Sequence, residues 1–271
     1  MQVVFYNGNF VSEKDAVVSK NNRAFNYGDG FFETIKLINS ELFNFSSHMI
    51  RIKFAMSVLK LNNNYTSLFL KEKISYLLKV NNISNGSVKV HISRSGAGRY
   101  TPESNDPDLL ISTISGSPYK SNDPISLCFY EEEYKASGLL SNIKSVNSLI
   151  SVLASIYSDK NNFDNAILLN NSGNIIEVSN ANIYILRDDI ICTPRLSDGC
   201  VDGTMRNWVN EELDICEKLI LKEELLDAQE VFITNASYGI TSIKNIEKTY
   251  FNCFNTADYL QSKLINLNLG L

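Results

Sequence analysis

A lysine stands where an apolar stripe begins. In SNIKSVNSLISVLASIY (141–157), Val146, Leu149, Ile150, Leu153, Ala154 and Tyr157 recur at helical spacing, which predicts one amphipathic helix with Lys144 at its head and Asn147 nearby. A hydrated ammonium in that place either rests on the surface with its stem over apolar neighbours, or is withheld from water as a nucleophile or proton carrier. Glu177, in NIIEVSNANIYI, poses the same choice for a carboxylate. Strict alternation puts it on the face of Ile175, as an exposed strand position or as a buried acid that needs a cationic or protonated partner. Arg51, in HMIRIKFA, carries a planar fork of donors suited to phosphate as well as to solvent. LSDGCVDGTMRNWV sets Gly203, Thr204 and Met205 at a predicted helix start, where backbone N–H groups and the helix dipole favour an anion. FITNASYGITSI ends a predicted strand in Ala236 and Ser237, a phosphate cradle or simply a tight turn. SRSGAGRY presents Arg94 and Arg99 around a Gly-Ala-Gly turn, open to a carboxylate or to solvent.

The elements that must position these groups alternate along the chain. Strand-like runs (QVVFYNG, NFVSE, GFFETIKLINSELFNF) precede two helical patterns, SSHMIRIKFAMSVLKL, with Ile50, Phe54, Ala55, Val58 and Leu59 near one face, and SLFLKEKISYLLKV. SVKVHISRS and DPDLLISTIS read as further strands. The polar break GSPYKSNDP, with Gly116, Pro118 and Pro124, has no apolar periodicity. It divides the chain into a domain over 1–115, a linker at 116–124 and a larger domain over 125–271. The second half reads as meandering strands after the opening helix, helices at GTMRNWVNEELDI and KEELLDA, a strand at EVFITNA and a closing helix at TADYLQSKLINL. The expected class is α+β, in two domains.

Composition narrows the chemistry. The 271 residues are 44% hydrophobic and 20% charged, ordinary globular proportions for a chain that can bury a sizeable core. A net charge of −5 gives no basic field for nucleic acid or an acidic membrane surface. The N-terminus has neither the basic nor the apolar region of an export signal, and no run approaches a membrane span, so a cytoplasmic location is expected. Five scattered cysteines without a CxxC pair point to reduced thiols. Only two histidines, His48 and His91, remote in sequence, give a histidine metal site or a Ser/His/Asp triad little support, so no metal is expected.

In order along the chain, RAFNYGDGFFETIK, HMIRI, SRSGAGRY, IKSVN, IIEVSNANIY, DGTMR and TNASYGITSI together resemble the class IV aminotransferase family. These are fold-type IV pyridoxal 5'-phosphate (PLP) enzymes, comprising branched-chain aminotransferases, D-amino acid aminotransferases and 4-amino-4-deoxychorismate lyases. The resemblance implies a small, sandwich-like α+β domain, a larger domain with a β-barrel core, PLP between them, and a homodimer acting on a small-molecule substrate. It makes Lys144 the Schiff-base lysine, where removal from bulk water favours the neutral amine. Glu177 becomes the acid at the pyridine nitrogen, and Arg51 the phosphate-binding arginine. Gly203, Thr204, Met205, Ala236 and Ser237 complete a phosphate cup, and Asn182 is a further cofactor-binding position.

Within the family the residues discriminate further. The positions matching the carboxylate trap of D-amino acid aminotransferases are Phe32, Arg99 and Thr101, which keep one of its three donors. Branched-chain aminotransferases resemble the chain at FFETIK but carry Gly and Tyr after the lysine, where this chain has Ser145, Val146 and Asn147. The short length, the K-x-x-N run, GAGRY and Thr34 resemble the deoxychorismate lyases, although the second glycine of their turn is missing. That resemblance implies release of pyruvate from 4-amino-4-deoxychorismate to give 4-aminobenzoate in folate biosynthesis, with Lys144, Thr34 and Glu177 in the chemistry and Phe32, Arg99 and Tyr100 at the substrate. The alternatives are an aminotransferase for branched-chain or other amino acids with a 2-oxo acid acceptor, and a non-catalytic binding module of the same fold.

Overall fold

The computed structural model describes residues 2–62 and 65–268. The chain forms two compact units: Met1–Pro118 with Ile143–Asn147, and Tyr119–Asn142 with Ser148–Leu271. Among the described residues no helix is long and apolar enough to cross a membrane.

The first unit is one antiparallel sheet with helices against it. Strands β1 (Val3–Tyr6), β2 (Asn9–Ser12), β3 (Gly30–Ile38), β4 (Glu41–Leu42), β5 (Gly86–Arg94) and β6 (Pro107–Ser115) run in the order β2-β1-β6-β5-β3-β4. A short helix α1 (Arg23–Tyr27) leads into β3, and α2 (Phe45–Val58) and α3 (Ser67–Asn81) supply the second layer. Ile35, Val88, Val90, Ile92 and Ile111 of the sheet meet Met49, Ile52, Met56, Leu70 and Ile74 of the helices in one core. Along β3 the side chains alternate. Phe31, Glu33, Ile35 and Leu37 take the core side, and Phe32, Thr34 and Lys36 the other.

Helix α2 packs most of its predicted face against the core, Ala55 fully and Phe54, Val58 and Leu59 in part, with one exception at its start. Ile50, placed on the buried stripe by periodicity, is 67% exposed, whereas His48 and Arg51 are buried. His48 and Arg51 meet Glu33, fully buried on the core side of β3. Arg51 Nε donates to Glu33 Oε1 at 2.8 Å and Arg51 Nη2 donates to Oε2 at 2.6 Å, while His48 Nδ1 lies 2.6 Å from the same Oε2. Burial alone would push the Glu33 carboxyl up, but Arg51 and His48 outweigh it and hold it at about 2. Burial drives the His48 imidazole below its ordinary value, opposed by Glu33 and assisted by the positive charges of Arg51 and Lys144. The His48 contact and the two Arg51 bonds thus meet on one buried carboxylate that joins α2 to β3.

The second unit holds β7 (Ile125–Phe129), β8 (Asn165–Leu169), β9 (Ile175–Val178), β10 (Asn182–Arg187), β11 (Ile190–Pro194), β12 (Ile215–Lys218), β13 (Glu230–Asn235), β14 (Gly239–Ile246) and β15 (Thr249–Tyr250). The sheet runs β12-β11-β10-β13-β14-β7-β8-β9, with β15 beside β14. Ile175 of β9 bridges Ile220, two residues beyond β12, so the two ends of the sheet curl towards each other around Leu127, Ile167, Ile183, Val231 and Ile243, the core of a barrel. Helices α4 (Leu139–Asn142), α5 (Leu149–Lys160), α6 (Thr204–Glu212), α7 (Lys222–Leu226) and α8 (Asn255–Asn268) complete it, with α6, α7 and α8 and strand β13 where the sequence pattern puts them. Glu230, fully buried on β13, accepts from the backbone N–H of Ala257 at 2.8 Å and Thr256 at 3.0 Å, capping the first turn of α8.

The single helix expected over 141–157 is not formed. It breaks into α4 and α5 around a non-helical segment, 143–148, because backbone groups there bond to β3 instead of to a helical turn. Only part of the expected stripe is inward: Ala154 is buried, with Ile150 and Tyr157 packed beside it, whereas Leu149 and Leu153 are 75% and 46% exposed.

Two substitutions test this framework. Glu33→Gln strips the buried Arg51 of its counter-charge and should lower unfolding free energy in urea by about 3 to 5 kcal/mol. Because the Glu33 carboxyl is depressed on folding, its stabilisation is present above the ordinary carboxylate range and is lost as pH falls from 4.5 towards about 2. That limb of the pH–stability curve should be shallower in Glu33→Gln. Glu230→Ala should cost about 1 to 3 kcal/mol, through the two uncapped N–H groups of α8.

Candidate active site

Lys144 is held by the edge of β3. Phe32 N–H donates to Lys144 O at 3.0 Å, Val146 N–H donates to Gly30 O at 3.1 Å, and Ser145 bridges Phe31 across the same edge. Asn147 locks the end of the strap: its Nδ2 donates to Gly28 O at 3.0 Å, and a Cβ on Gly28, whose φ is +65°, would fall 2.1 Å from Asn147 Oδ1. The strap delivers the Lys144 ammonium to the outer face of β3, where Nζ lies 4.8 Å from the centroid of the Phe32 ring.

That face carries more chemistry than the sequence motifs indicated. Lys89 Nζ lies 5.0 Å from the same Phe32 centroid, and His91 stacks on the ring at 5.5 Å. The β3–β5 register pairs Phe32 with His91 and Thr34 with Lys89. Thr34 thus shares a face with Phe32 and stands opposite an ammonium. Burial, helped by Lys89, pushes the His91 imidazole down to about 4, so it is neutral at physiological pH. Lys89 was missed because a lone lysine in an alternating strand reads as solvated; the β3–β5 register is what gives it meaning.

Arg94, Arg99 and Arg206, each able to meet a carboxylate, separate by burial. Arg94 donates to Asp29 at 2.9 Å and to Asn105 at 2.5 Å, and Arg206 pairs with Glu217 at 2.8 Å; both are buried. Arg99 is exposed, in a turn whose carbonyls at 97, 98 and 99 all accept from Arg23 Nη1. Tyr100 beside it is 91% exposed, its ring 5.8 Å from that of Tyr27.

In the second unit a chain of contacts gathers the remaining residues. Glu177 is 5% exposed; its Oε1 accepts from Lys135 Nζ at 2.5 Å and its Oε2 from Val201 N–H at 2.8 Å. The carbonyl of Val201 accepts from Asn182 Nδ2 at 2.8 Å. Asn182 abuts Gly203 so closely that a Cβ there would lie 2.0 Å from Asn182 Oδ1. Gly203 is the N-cap of α6, which has no side-chain cap, and Thr204 and Met205 form its first turn. Across the sheet Asn182 pairs with Thr234, whose hydroxyl is buried without a hydrogen-bond partner. Thr234 leads into the turn in which Ser237 N–H donates to Asn235 Oδ1 at 2.6 Å and Ala236 O accepts from Tyr119. A buried acid, an uncapped helix start and a small-residue turn are thus linked through Asn182 and Val201.

The class IV aminotransferase family model matches residues 30–246. The D-alanine aminotransferase of Staphylococcus epidermidis is 31% identical over 257 residues, covering 91% of this chain and 90% of its own length. The solved branched-chain aminotransferase of Thermoproteus uzoniensis with norvaline is 24% identical at a TM-score of 0.91, covering 99% of this chain and 95% of that one. A putative 4-amino-4-deoxychorismate lyase from Legionella pneumophila is also 24% identical, at a TM-score of 0.85 and coverages of 95% and 98%. The two solved structures share its fold, and with the family match and the sequence relative they place the chain in the class IV aminotransferases, a family of PLP-dependent enzymes.

Proposed function

We propose that this enzyme is a lyase that releases pyruvate from 4-amino-4-deoxychorismate and yields 4-aminobenzoate, a folate precursor. The observation that carries the reading is the outer face of β3: Thr34 stands on the side of Phe32, over whose ring the Lys144 ammonium lies. A hydroxyl and an amine at one face suit a reaction that removes a proton from one atom of the substrate and delivers one to another. Lys89, opposite Thr34, adds a cation of the kind a substrate with two carboxylates needs, and the exposed Arg99 with Tyr100 offers another.

The residues fit PLP. Lys144 would carry its aldehyde carbon and Glu177 would accept from its ring nitrogen. Arg51, whose planar guanidinium suits an anion, would meet the phosphate. So would the start of α6 at Gly203, Thr204 and Met205, and the turn at Ala236 and Ser237, with Asn182 holding these elements together. The buried, unpartnered Thr234 hydroxyl at the base of that turn is the feature such a group would satisfy. When bound, the cofactor supplies an electron sink conjugated to the substrate nitrogen. Lys144 Nζ takes the proton from the ring carbon that bears nitrogen. The Thr34 hydroxyl gives a proton to the methylene carbon of the departing enolpyruvyl group as its ether C–O bond breaks, and water restores the hydroxyl proton. Phe32 presents an apolar face to the substrate ring. A homodimer is supported by the apolar side chains that α5 leaves exposed, Leu149, Val152, Leu153 and Ile156. A cytoplasmic setting suits the free cysteines.

A second reading, transamination between an amino acid and a 2-oxo acid, is favoured by the 31% identity to a D-alanine aminotransferase. Lys144 would then move the proton from the Cα of the amino acid, and Thr34 would have no proton to deliver.

Incubation with aminodeoxychorismate, beside a panel of L- and D-amino acids with 2-oxoglutarate, separates the two. Pyruvate and 4-aminobenzoate should form in equal amounts; rapid turnover of D-alanine or leucine without pyruvate release from aminodeoxychorismate would overturn the lyase. Thr34→Val should slow pyruvate release about a hundredfold or more while leaving the visible absorbance of the holoenzyme in place. Lys144→Ala should abolish both.

A further inference from the structure

Glu177 does not stand alone in its pocket of the second unit. It lies on β9, where all four residues are buried, and its two oxygens are held from two directions. Lys135 approaches Oε1, and the Val201 peptide approaches Oε2. Lys135 is itself fixed. Its backbone N–H donates to Leu169 O at 2.9 Å and the residue bridges Asn170, at the end of the strand that pairs Leu168 with Glu177. Its Nζ donates a second bond, to Ser141 O at 3.2 Å, and its side chain is 19% exposed.

We infer that Lys135 is the positioning residue that keeps Glu177 an oriented acceptor for the ring nitrogen of the cofactor. The inference rests on the reading that Glu177 meets that nitrogen, and extends it to a residue outside the motif set. A buried carboxylate without a cation is costly. Lys135, itself fixed by Ser141 O, anchors one oxygen while leaving each carboxylate oxygen a lone pair for a further donor. Val201 fixes the plane of the carboxylate, so the remaining acceptor direction is preset before any ligand arrives.

The test is equilibrium dialysis of the full-length, cofactor-stripped protein against PLP and against an analogue with carbon in place of the ring nitrogen. Lys135→Met should weaken PLP binding about tenfold or more. It should change binding of the analogue by less than about twofold, and Lys135→Arg should restore the affinity for PLP. Equal PLP affinity in Lys135→Met and the unsubstituted protein would overturn the inference. Parallel losses for PLP and analogue would also overturn it, since they indicate packing alone. Glu177→Ala separates the underlying reading from the inference: if it preserves the preference for PLP over the analogue, Glu177 is not at the ring nitrogen and both fall.

Discussion

Two backbone hydrogen bonds, Phe32 N–H to Lys144 O and Val146 N–H to Gly30 O, are the constraint on which the candidate site around Lys144 depends. A lysine inside a continuous helix would have spent its backbone groups on helical neighbours and turned its side chain with the helical period. Strapped to a strand edge, it instead inherits the alternation of β3, and its ammonium comes to the face that carries Phe32 and Thr34. A backbone pairing, indifferent to side-chain identity, thereby brings an amine and an aromatic ring to one surface. The bond from Asn147 to Gly28 closes the strap where any side chain at position 28 would collide with it.

Both units handle a buried carboxylate in the same way, with different consequences. Glu33 is held by Arg51 and His48, three contacts that join α2 to β3. Glu177 is held by one ammonium and one peptide N–H, and retains acceptor capacity. Burial alone does not distinguish the two acids. Their donors do: a guanidinium and an imidazole at Glu33, an ammonium and a backbone N–H at Glu177.

Much of this was legible in the sequence. Turn residues, strand alternation and helix boundaries marked α6, α7, α8 and β13, and the ordered set of short motifs identified the family across most of the chain. The failures share a physical cause. Periodicity counts apolar residues as inward, so it placed Ile50 with Phe54, Ala55, Val58 and Leu59, which do pack, and overlooked His48 and Arg51, which are buried against Glu33 of β3. It also ran one helix through 143–148, because the competing hydrogen-bond partners lie more than a hundred residues earlier. Lys135 and Lys89 escaped notice for the same reason: each is unremarkable along the chain, and only register or packing gives it a neighbour.

The chain's itinerary has a further consequence. Five residues, 143 to 147, belong to the first compact unit although the segments on both sides of them belong to the second. A gene cut near Pro118 would therefore yield an amino-terminal fragment lacking the peptide that edges β3, and a carboxy-terminal fragment carrying that peptide with nothing to pair it. Neither piece is an autonomous module, and recombination between relatives that exchanged one half would have to exchange this peptide with its receiving strand.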